Sequence, residues 1–560
     1  MANRLIGSWN RLAVAVSMLV VLLAGGHVWS GDGRVAGTGR SERASAAPRY
    51  LLTIVNLNYF PPPADQRLAA QALQEFIAIA REHGVEPELF FTGLAFDMYR
   101  EQLPELLEEL KRSGRDWHHH GSNRPPSPTP IDRVRGLPWH EAVKAVQEYE
   151  RYAISLPKPR RDRPPMPERS KPPLGRLDHS RIGGLKKMCA YFGRPPFATG
   201  RWMRAPILAV CRQYGARMGV GLQDTFQLES AWCWYMGVLN RPDDVFVHPT
   251  WDFNPWVRHC WAVRQGLPGQ GNAPAGPPDE PLDLKQKLQR RLAKLDPQLP
   301  AFVTFCFHDN DFFGYRWRSR ERYSDQYRRF YMAKCDEFLS WLIDEQGLRP
   351  IPLREAYQMA AARNLKPTEA EAPTLARRVA EAVAKEGGLP LYVADDRSAY
   401  SLAECWQLFA AVLSGRRPSL HLLLGPIEPG GPSERLGSFT GPAIRQAASS
   451  VTAEDSVPPT VHVGGTEVNA AEFLYLMAKT LLGDDPVHGI PLSMLPVRVA
   501  KLPRAGDLEK LQFWSYKPAF YADTGGRVQP ATSVAVNVFG QRQRRSGRMR
   551  RVPPSRRPPW

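Results

Sequence analysis

The residues best suited to chemistry in this sequence are three consecutive histidines, His118 to His120, which precede a Gly-Ser-Asn turn. Imidazole binds transition metals and exchanges protons near neutral pH, so a histidine cluster at a strand end is a candidate metal centre or acid–base site. The structural alternative is that one histidine packs in the core, one is solvated and one hydrogen-bonds the turn. The spacing alone leaves both interpretations open.

Strand and helix patterns alternate on both sides of this cluster. Apolar runs predict strands over residues 50–58, 87–93 and 116–120, and helical spacing of apolar residues predicts helices over 67–83 and 99–112. Such alternation predicts an α/β fold with a parallel sheet or barrel, whose active residues lie at the carboxyl ends of the strands. The alternation continues with helices predicted over 139–155, 207–214, 283–294 and 323–343 and strands over 216–222, 245–248 and 348–353.

Polar residues lie at several of these strand ends. Two asparagines with i, i+2 spacing end the first strand, so both side chains point to one face. A later apolar strand, residues 302–307, carries a histidine and two acids at its exit. The polar residues at strand ends are Asn56, Asn58, Thr92, the three histidines, His308, Asp309 and Asp311.

The order of these elements and the residues at the strand ends resemble the polysaccharide deacetylase (NodB-homology) carbohydrate esterases, over roughly residues 48 to 360. The resemblance implies an irregular (β/α) barrel that removes acetyl groups from N-acetylated sugars, which makes it a hydrolase of carbon–nitrogen bonds. It also implies a divalent metal, held in that family by one aspartate and two histidines. A second aspartate serves the family as base and a late histidine as acid.

The family's first motif, Thr-Phe-Asp-Asp-Gly, corresponds here to Thr53-Ile54-Val55-Asn56, and its two aspartates are absent. Asn56 or Asn58 stands nearest to them. Asparagine offers only a neutral carbonyl oxygen, which is a poor zinc ligand and no base near neutral pH. Amide hydrolysis of this kind needs a Lewis acid, a base for water and an acid for the leaving amine, so the loss bears directly on activity.

The second motif, His-(Ser/Thr)-x-x-His, is similar to the stretch from His120 to Arg124. The first histidine is kept and the second is an arginine, whose positive charge would weaken metal binding. His118 or His119 is available as a substitute. The third motif, Arg-Pro-Pro-Tyr-Gly, is similar to the stretch that begins at Arg194, with Arg204-Ala205-Pro206 as a rival.

Two arrangements of the site therefore remain open. The first is a re-sited centre for a divalent metal, zinc by preference, made of His118, His120 and Asp309 or Asp311, with His308 as the acid.

The second arrangement is a hydrogen-bond network of Asn56, Asn123 and Arg124 that binds a sugar or a carboxylate without metal. The predicted site residues by role are His308, Asp309 and Asp311 for catalysis; Asn56, Asn58, Asn123, Arg124, Arg194 and Arg204 for substrate binding; and His118, His119 and His120 for metal.

The amino terminus is typical of an export signal. Arg4 and Arg11 provide positive charge, and the apolar run 12–24 is closed by two glycines at 25 and 26. An uncleaved anchor is the alternative, and no later stretch is apolar enough to span a membrane. We therefore expect a periplasmic, cell-surface or secreted protein. Its seven cysteines include no Cys-x-x-Cys pair, which argues against a structural zinc module, and their odd number leaves at least one thiol unpaired.

Composition places further limits on function. The chain of 560 residues carries a net charge of +18, and residues 542–560 hold eight arginines and no acid. Such a tail adheres to anionic polymer. Because export is expected, envelope phosphates or acidic glycans are favoured as partners over any specific nucleic acid.

Past residue 365 the composition shifts, which indicates a second, smaller α/β domain. Helices predicted over 375–385, 401–413 and 468–482 are each followed by a proline turn and an aliphatic strand, at 391–393, 420–424 and 490–495. These three units resemble pseudomurein-binding repeats, which implies that they hold a cell-wall polymer. An ordinary accessory domain is the alternative.

The predicted organisation has four parts. They are a leader at 1–47, a deacetylase-like barrel at 48–365, a wall-binding region at 366–505 and a tail at 506–560 that is disordered from about 540. Two functions follow: hydrolysis of an acetylated envelope glycan or peptidoglycan-like polymer, or binding of such a glycan without cleavage.

Overall fold

The fold is known from a computed structural model. The structure describes residues 47–530 apart from 59–62, 122–133, 135, 156–175, 201–203, 221–231, 242–244, 267–282, 296, 298–299, 315–321, 432–435, 452–454, 501–506, 520 and 524–527. The predicted export signal and the arginine-rich tail therefore lie outside the described residues.

The main sheet is built on β1, the apolar run that begins at Arg49. The strands are β1 Arg49–Leu57, β2 Glu88–Phe91, β3 His118–His120, β4 Tyr152–Ser155, β5 Arg176–Ile182, β6 Ala198–Gly200, β7 Met218–Val220, β8 Cys233–Tyr235, β9 Val238–Arg241, β10 Val245–Val247, β11 Ala301–His308, β12 Arg349–Pro350, β13 Val393–Ala394, β14 Ala399–Tyr400, β15 Ser438–Phe439, β16 Thr460–Val463, β17 Thr466–Asn469, β18 Val487–His488, β19 Lys517–Pro518, β20 Tyr521–Asp523 and β21 Val528–Pro530.

The main sheet contains eight neighbouring parallel strands in the order β10-β11-β1-β2-β3-β6-β7-β9. Beyond β9 the sheet continues with β8, which is antiparallel to β9, and with β19, which is antiparallel to β8.

The sheet curls into an open (β/α) barrel, which confirms the predicted α/β fold class. Alternate residues of each strand face opposite sides. On the inner side Leu52, Phe90 and Phe302 belong to a small core that fills the barrel. On the outer side Val55 and Phe91 pack against the surrounding helices.

The helices of the barrel follow its strands in the predicted alternation. One predicted helix, 99–112, is wrong as a single element because Pro104 starts a new helix, and the residue before a proline is disfavoured in the helical region. The helix Leu353–Ala361 contributes Leu353, Ala356 and Ala360 to the barrel core. The barrel's helices are Pro63–Glu82, Gly93–Gln102, Pro104–Arg112, Trp139–Arg151, Gly184–Phe192, Ala205–Gln213, Asn254–Arg264, Leu284–Leu292, Asp309–Phe313, Asp325–Ser340 and Leu353–Ala361, with π-helical turns at Pro249–Phe253 and Trp341–Glu345.

The carboxyl-terminal region forms a second hydrophobic core. Its three predicted helices are confirmed, whereas the strands predicted over 420–424 and 490–495 are wrong. Pro491 lies inside the second run and cannot donate to a ladder, and the first run makes only an isolated bridge from Leu424 to Ser456. The helices of this region are Ala372–Glu386, Leu402–Leu413, Gly441–Ser450, Ala470–Leu481, Val497–Ala500 and Asp507–Leu511, with 3-10 turns at Glu369–Glu371 and Gln512–Ser515.

Two hairpins, β13–β14 and β16–β17, each precede a long helix. The strand predicted over 391–393 overlaps the first hairpin only at Val393, and the sequence pattern missed the second. Both helices begin with a capping box, formed by Ser401 with Glu404 and by Asn469 with Glu472. Within the described residues, the order helix, hairpin, helix therefore occurs twice, where the sequence pattern predicted three units of helix, turn and strand.

The segment from Asp507 to Ala519 joins the two cores. Trp514 packs 6.2 Å from Trp406 in the second core, while Phe513 packs 5.0 Å from Tyr235 of β8. The described residues from Ala47 onward belong to one compact unit, and the domain boundary at residue 365 stays a prediction.

Two negative findings concern the described residues alone. None of their helices is long and apolar enough to cross a membrane. All seven cysteines lie among them, and none of the seven is joined in a disulfide.

Replacing Trp514 with alanine should lower the stability of the whole chain by about 3–5 kcal/mol. The change empties a fully buried site and removes the hydrogen bond from the indole N–H to the Met494 carbonyl, 2.8 Å long. The midpoint of thermal unfolding measures the effect. Ile182→Ala is the control, because that side chain is 54% exposed; equal midpoints for the two variants would contradict a joining role for this segment.

Candidate functional site

The carboxyl ends of the parallel strands place a polar cluster at the mouth of the barrel. Asn56 pairs across strands with His308, and their side chains share the inner face with Asn58 and His120. His248 follows β10 directly, and its ring lies 5.7 Å from the ring of His308. We call these five residues the mouth cluster.

His308 is the member of the mouth cluster with the most developed surroundings. It ends β11, and Asp311 of the next helix accepts a hydrogen bond of 2.9 Å from its backbone N–H. The same carboxylate oxygen lies 3.4 Å from Nδ1 of the His308 ring. A carboxylate beside the ring helps to fix the position of the imidazole.

A chain of buried hydrogen bonds positions Asp311 in turn. Nδ2 of Asn254 donates to its second oxygen at 2.9 Å, and the hydroxyl of Tyr331 donates to Oδ1 of Asn254 at 2.7 Å. Burial raises the pKa of Tyr331, and the Cys335 thiol and Asp311 raise it further, so the hydroxyl keeps its proton. Sequence reasoning missed Asn254 and Tyr331 because they lie on helices, where apolar periodicity carries no signal for a buried hydrogen bond.

Asp309 occupies a different position beside the mouth. The hydroxyl of Tyr99 donates to its Oδ2 at 3.2 Å, and its Oδ1 accepts the N–H of Asn310 at 3.0 Å. Burial and the neighbouring carboxylate raise the pKa of Tyr99 well above its ordinary value. Asp309 therefore accepts a hydrogen bond from a tyrosine hydroxyl, whereas Asp311 lies against the His308 ring.

The two asparagines at the end of β1 contact different neighbours. Nδ2 of Asn56 lies 3.2 Å from the sulfur of Cys306, and Nδ2 of Asn58 lies 3.4 Å from Nε2 of His120. Oδ1 of Asn58 is buried, with no hydrogen-bond partner among the described residues. An amide oxygen held in this way is an acceptor that a ligand hydroxyl or amide N–H could satisfy.

His118 and His119 do not join the mouth cluster. Nε2 of His118 lies 2.6 Å from Glu88 inside the barrel, and the ring stacks on Phe90. The other oxygen of Glu88 accepts the backbone N–H of Leu353, so this pair connects the barrel interior to the helix that begins there.

His119 points out of the barrel, because neighbouring residues of a strand face opposite sides. Its Nδ1 lies 2.9 Å from the Thr199 hydroxyl and its Nε2 lies 3.2 Å from the buried Glu150 carboxylate. Burial lowers the pKa of His119, but Glu150, with a smaller contribution from Cys211, outweighs it and raises the pKa to about 10. His119 is thus half of a buried ion pair that lies under the helical layer.

The predicted substrate-binding arginines Arg194 and Arg204 bond to partners outside the mouth cluster. The guanidinium of Arg194 donates to the carbonyls of Leu110, at 2.8 Å, and Lys111, at 3.1 Å, at the end of a helix. Arg204 makes an ion pair of 2.6 Å with Glu509. Asn123 and Arg124 lie outside the described residues.

The geometry of the described residues does not fit the predicted metal centre. No three of their histidine, cysteine, aspartate and glutamate side chains form a group that could hold a metal ion. His119 faces away from His118 and His120, and His118 is already bound to Glu88. His248, which sequence reasoning did not select, lies beside His308. Its position at the exit of a parallel strand is the sequence signal that could have identified it.

Comparison with known proteins gives limited guidance. No family model and no curated protein matches this chain. One similar structure is a 4-alpha-glucanotransferase from Thermococcus litoralis, with 11% identity, a TM-score of 0.33 and coverage of 61% of this chain and 47% of the other. This chain therefore spans about half of that protein.

A second similar structure is a protein from Mycobacterium smegmatis assigned as a polysaccharide deacetylase. It has 11% identity and a TM-score of 0.32, and the match covers 60% of this chain and 97% of the other. Similarity at this level does not decide what the chain does.

The buried ion pair of His119 predicts a pH-dependent stability. Because the folded pKa, about 10, lies above the ordinary value of 6.5, the stabilisation is complete below about pH 6.5 and is lost as the pH rises to about 10. His119→Gln should cost about 3 kcal/mol at pH 6 and progressively less towards pH 10.

Thermal unfolding of the wild type and the variant across this pH range tests the pair. His140→Gln is the matched control, because His140 is exposed on the helix that carries Glu150. A difference between wild type and His119→Gln that stays constant from pH 6 to pH 10 would show that the pair is not ionised in the folded protein.

Proposed function

We propose that this protein is an exported, deacetylase-like hydrolase that acts on an acetylated envelope glycan at the mouth cluster. The observation that carries the proposal is the pairing of His308 with Asp311 at the exit of β11, beside a second imidazole from His248. The resemblance of the sequence to polysaccharide deacetylases supports the choice of substrate class.

In the proposed reaction His308 exchanges protons with the ligand. Asp311 helps to fix the position of the ring, and a ring nitrogen of His308 accepts a proton from water and returns it to the leaving amine or alcohol. The bond between the acetyl carbon and the sugar nitrogen or oxygen breaks, and water supplies the new carbon–oxygen bond. Acetate and the free amine or hydroxyl are the products.

The amide groups of the mouth cluster are proposed to bind the substrate. The Asn58 carbonyl is buried and lacks a hydrogen-bond partner among the described residues, and a sugar hydroxyl or the acetamido N–H would satisfy it. Neutral amides suit a neutral glycan, because they bind hydroxyl groups without an unpaired charge.

A divalent metal, zinc by preference, stays a prediction, and no step above depends on it. Elemental analysis of the full chain beside His120→Ala tests it. About one metal per chain in the wild type and none in the variant would support a centre at His120; equal content in both would contradict it.

Glycan binding without cleavage is the second candidate function. It is favoured by Asn56 and Asn58, which stand where the deacetylases carry aspartates and cannot act as base or charged ligand. The two helix–hairpin–helix units after residue 371 are then proposed to hold the same envelope polymer. The basic tail is proposed to bind anionic polymer.

Release of acetate from an N-acetylated chito-oligosaccharide and from an O-acetylated glycan tests catalysis. His308→Gln should lower kcat/KM by about a hundredfold or more, because the proton carrier is lost. Asp311→Asn should lower it by about tenfold or more, because the carboxylate that orients the ring is lost.

The matched control for both variants is His140→Gln, which removes an exposed histidine from the helix Trp139–Arg151 of the barrel. Circular dichroism confirms that each variant is folded. Unchanged acetate release in both variants would overturn the assignment of His308. Binding of the oligosaccharide without any release of acetate by the wild type would leave the second candidate.

Export predicts a shortened chain. Expressed with its own amino terminus in a bacterial host, the protein should lose roughly its first 26 residues and appear outside the cytoplasm. Intact-mass measurement of the envelope and cytoplasmic fractions checks this. A full-length chain confined to the cytoplasm would contradict export.

A further inference from the structure

A polar cleft lies where the barrel meets the carboxyl-terminal region, and it shares no residue with the mouth cluster. Its volume is about 160 Å³. Cavities of this size hold small organic molecules. Its lining comes from both parts of the chain: Arg212 and Trp234 from the barrel, and Lys366, Glu404, Gln407 and Lys517 from the segments after it.

The wall of the cleft contains a buried charge cluster. The Lys517 and Lys366 ammonium groups both contact the same oxygen of Glu404, at 2.9 and 2.8 Å. Burial raises the pKa of Glu404, but the two lysines outweigh it and hold the pKa below its ordinary value. Burial lowers the pKa of Lys517, and Glu404 opposes that effect. The second oxygen of Glu404 accepts the backbone N–H of Ser401 at 3.0 Å.

The cleft therefore carries more positive than negative charge. Arg212 lies on its exposed rim, so Arg212, Lys366 and Lys517 face a single carboxylate in the lining, Glu404. Asp455, an exposed residue outside the lining, is the acid that acts on Arg212. An anion bound in the cleft would be attracted by these cations.

Two polar atoms of the lining lack hydrogen bonds within the described residues. The indole Nε1 of Trp234 and Oδ1 of Asn364 are both buried and have no hydrogen-bond partner there. One is a donor and the other an acceptor, so a bound ligand that carries hydroxyl groups could satisfy both.

The side chain of Gln407 fixes the part of the cleft wall that His421 forms. Its amide exchanges two hydrogen bonds with the backbone of His421, each 3.0 Å long. The cleft thus has a fixed frame, a positive rim and two polar atoms that a ligand could bind.

We propose that this cleft binds a small polyhydroxylated anion, a sugar that carries a carboxylate or a phosphate. The anionic group lies between Arg212 and Lys366, because a guanidinium and an ammonium together recognise carboxylate and phosphate oxygens. A hydroxyl of the sugar accepts the Trp234 N–H, and another donates to Asn364. Lys517 and Glu404 form the floor and hold the positive rim in position.

Isothermal titration of the full chain with five probes tests the site: glucuronate, glucose 6-phosphate, glucose, acetate and inorganic phosphate. We expect at least one acidic sugar to bind about tenfold or more tightly than glucose, and more tightly than the free anion with the same group. Comparing the affinities of glucuronate and glucose 6-phosphate shows whether the site prefers a sugar with a carboxylate or one with a phosphate. Failure of both acidic sugars to bind at millimolar concentration, or equal binding of glucose, would overturn the proposal.

Variants place the binding in this cleft. Arg212→Gln and Lys366→Gln each remove an exposed rim charge and should weaken binding of the acidic sugar by about tenfold. Lys111→Gln removes an exposed charge from the barrel helix Pro104–Arg112, outside the cleft, and should leave binding unchanged. Unchanged affinity in both rim variants would locate the anion elsewhere and reject this site.

Discussion

Alternation of side chains along the parallel strands is the constraint on which the rest of this structure depends. In β3 it divides three consecutive histidines between two environments, so His118 and His120 face the barrel and His119 faces the helices. The same rule places Asn56 and His308 on the inner face at one level. A cluster that is continuous in sequence is therefore discontinuous in space, and the polar site at the mouth is assembled from four separate strands.

The environments that result are chemically distinct. Outside the barrel, Glu150 gives His119 a high pKa and a structural role. Inside, the pair of His118 and Glu88 fixes the start of the helix at Leu353. At the mouth, His308 receives its carboxylate from the helix that follows its own strand, and Tyr331 and Asn254 fix that carboxylate. Three histidine–carboxylate pairs are thus made by three different parts of the fold.

The sequence was informative where local pattern and fold agree. The parallel strands, most of their helices and the positions of Asn58, His120 and His308 at strand ends follow from periodicity and from the rules of α/β folds. His248 and the partners of Asp311 did not follow, because their importance arises from contacts between elements distant in sequence. Strand predictions after residue 365 failed at an aliphatic run that includes Pro491, where packing on a helical core, and not pairing, buries the apolar side chains.

The segment after residue 506 illustrates the same limit. Its sequence shows no clear helix or strand pattern, yet Trp514 packs in the second core. Lys517 lies opposite Trp234 of β8 in the sheet and makes an ion pair with Glu404. A short stretch whose neighbouring side chains pack into two different cores has no helical or strand periodicity, because no single face of it is buried. This joint also creates the positive cleft, so two polar sites with different charge arise in one chain: a neutral and acidic mouth and a cationic cleft.

The central claim is that the mouth cluster receives the acetylated sugar. A crystal structure of the full chain with an N-acetylated chito-oligosaccharide tests it most directly. The account predicts an acetamido group within hydrogen-bonding distance of a ring nitrogen of His308, and Asn58 bonded to the sugar. An oligosaccharide bound elsewhere, with the mouth cluster free of sugar, would contradict the account.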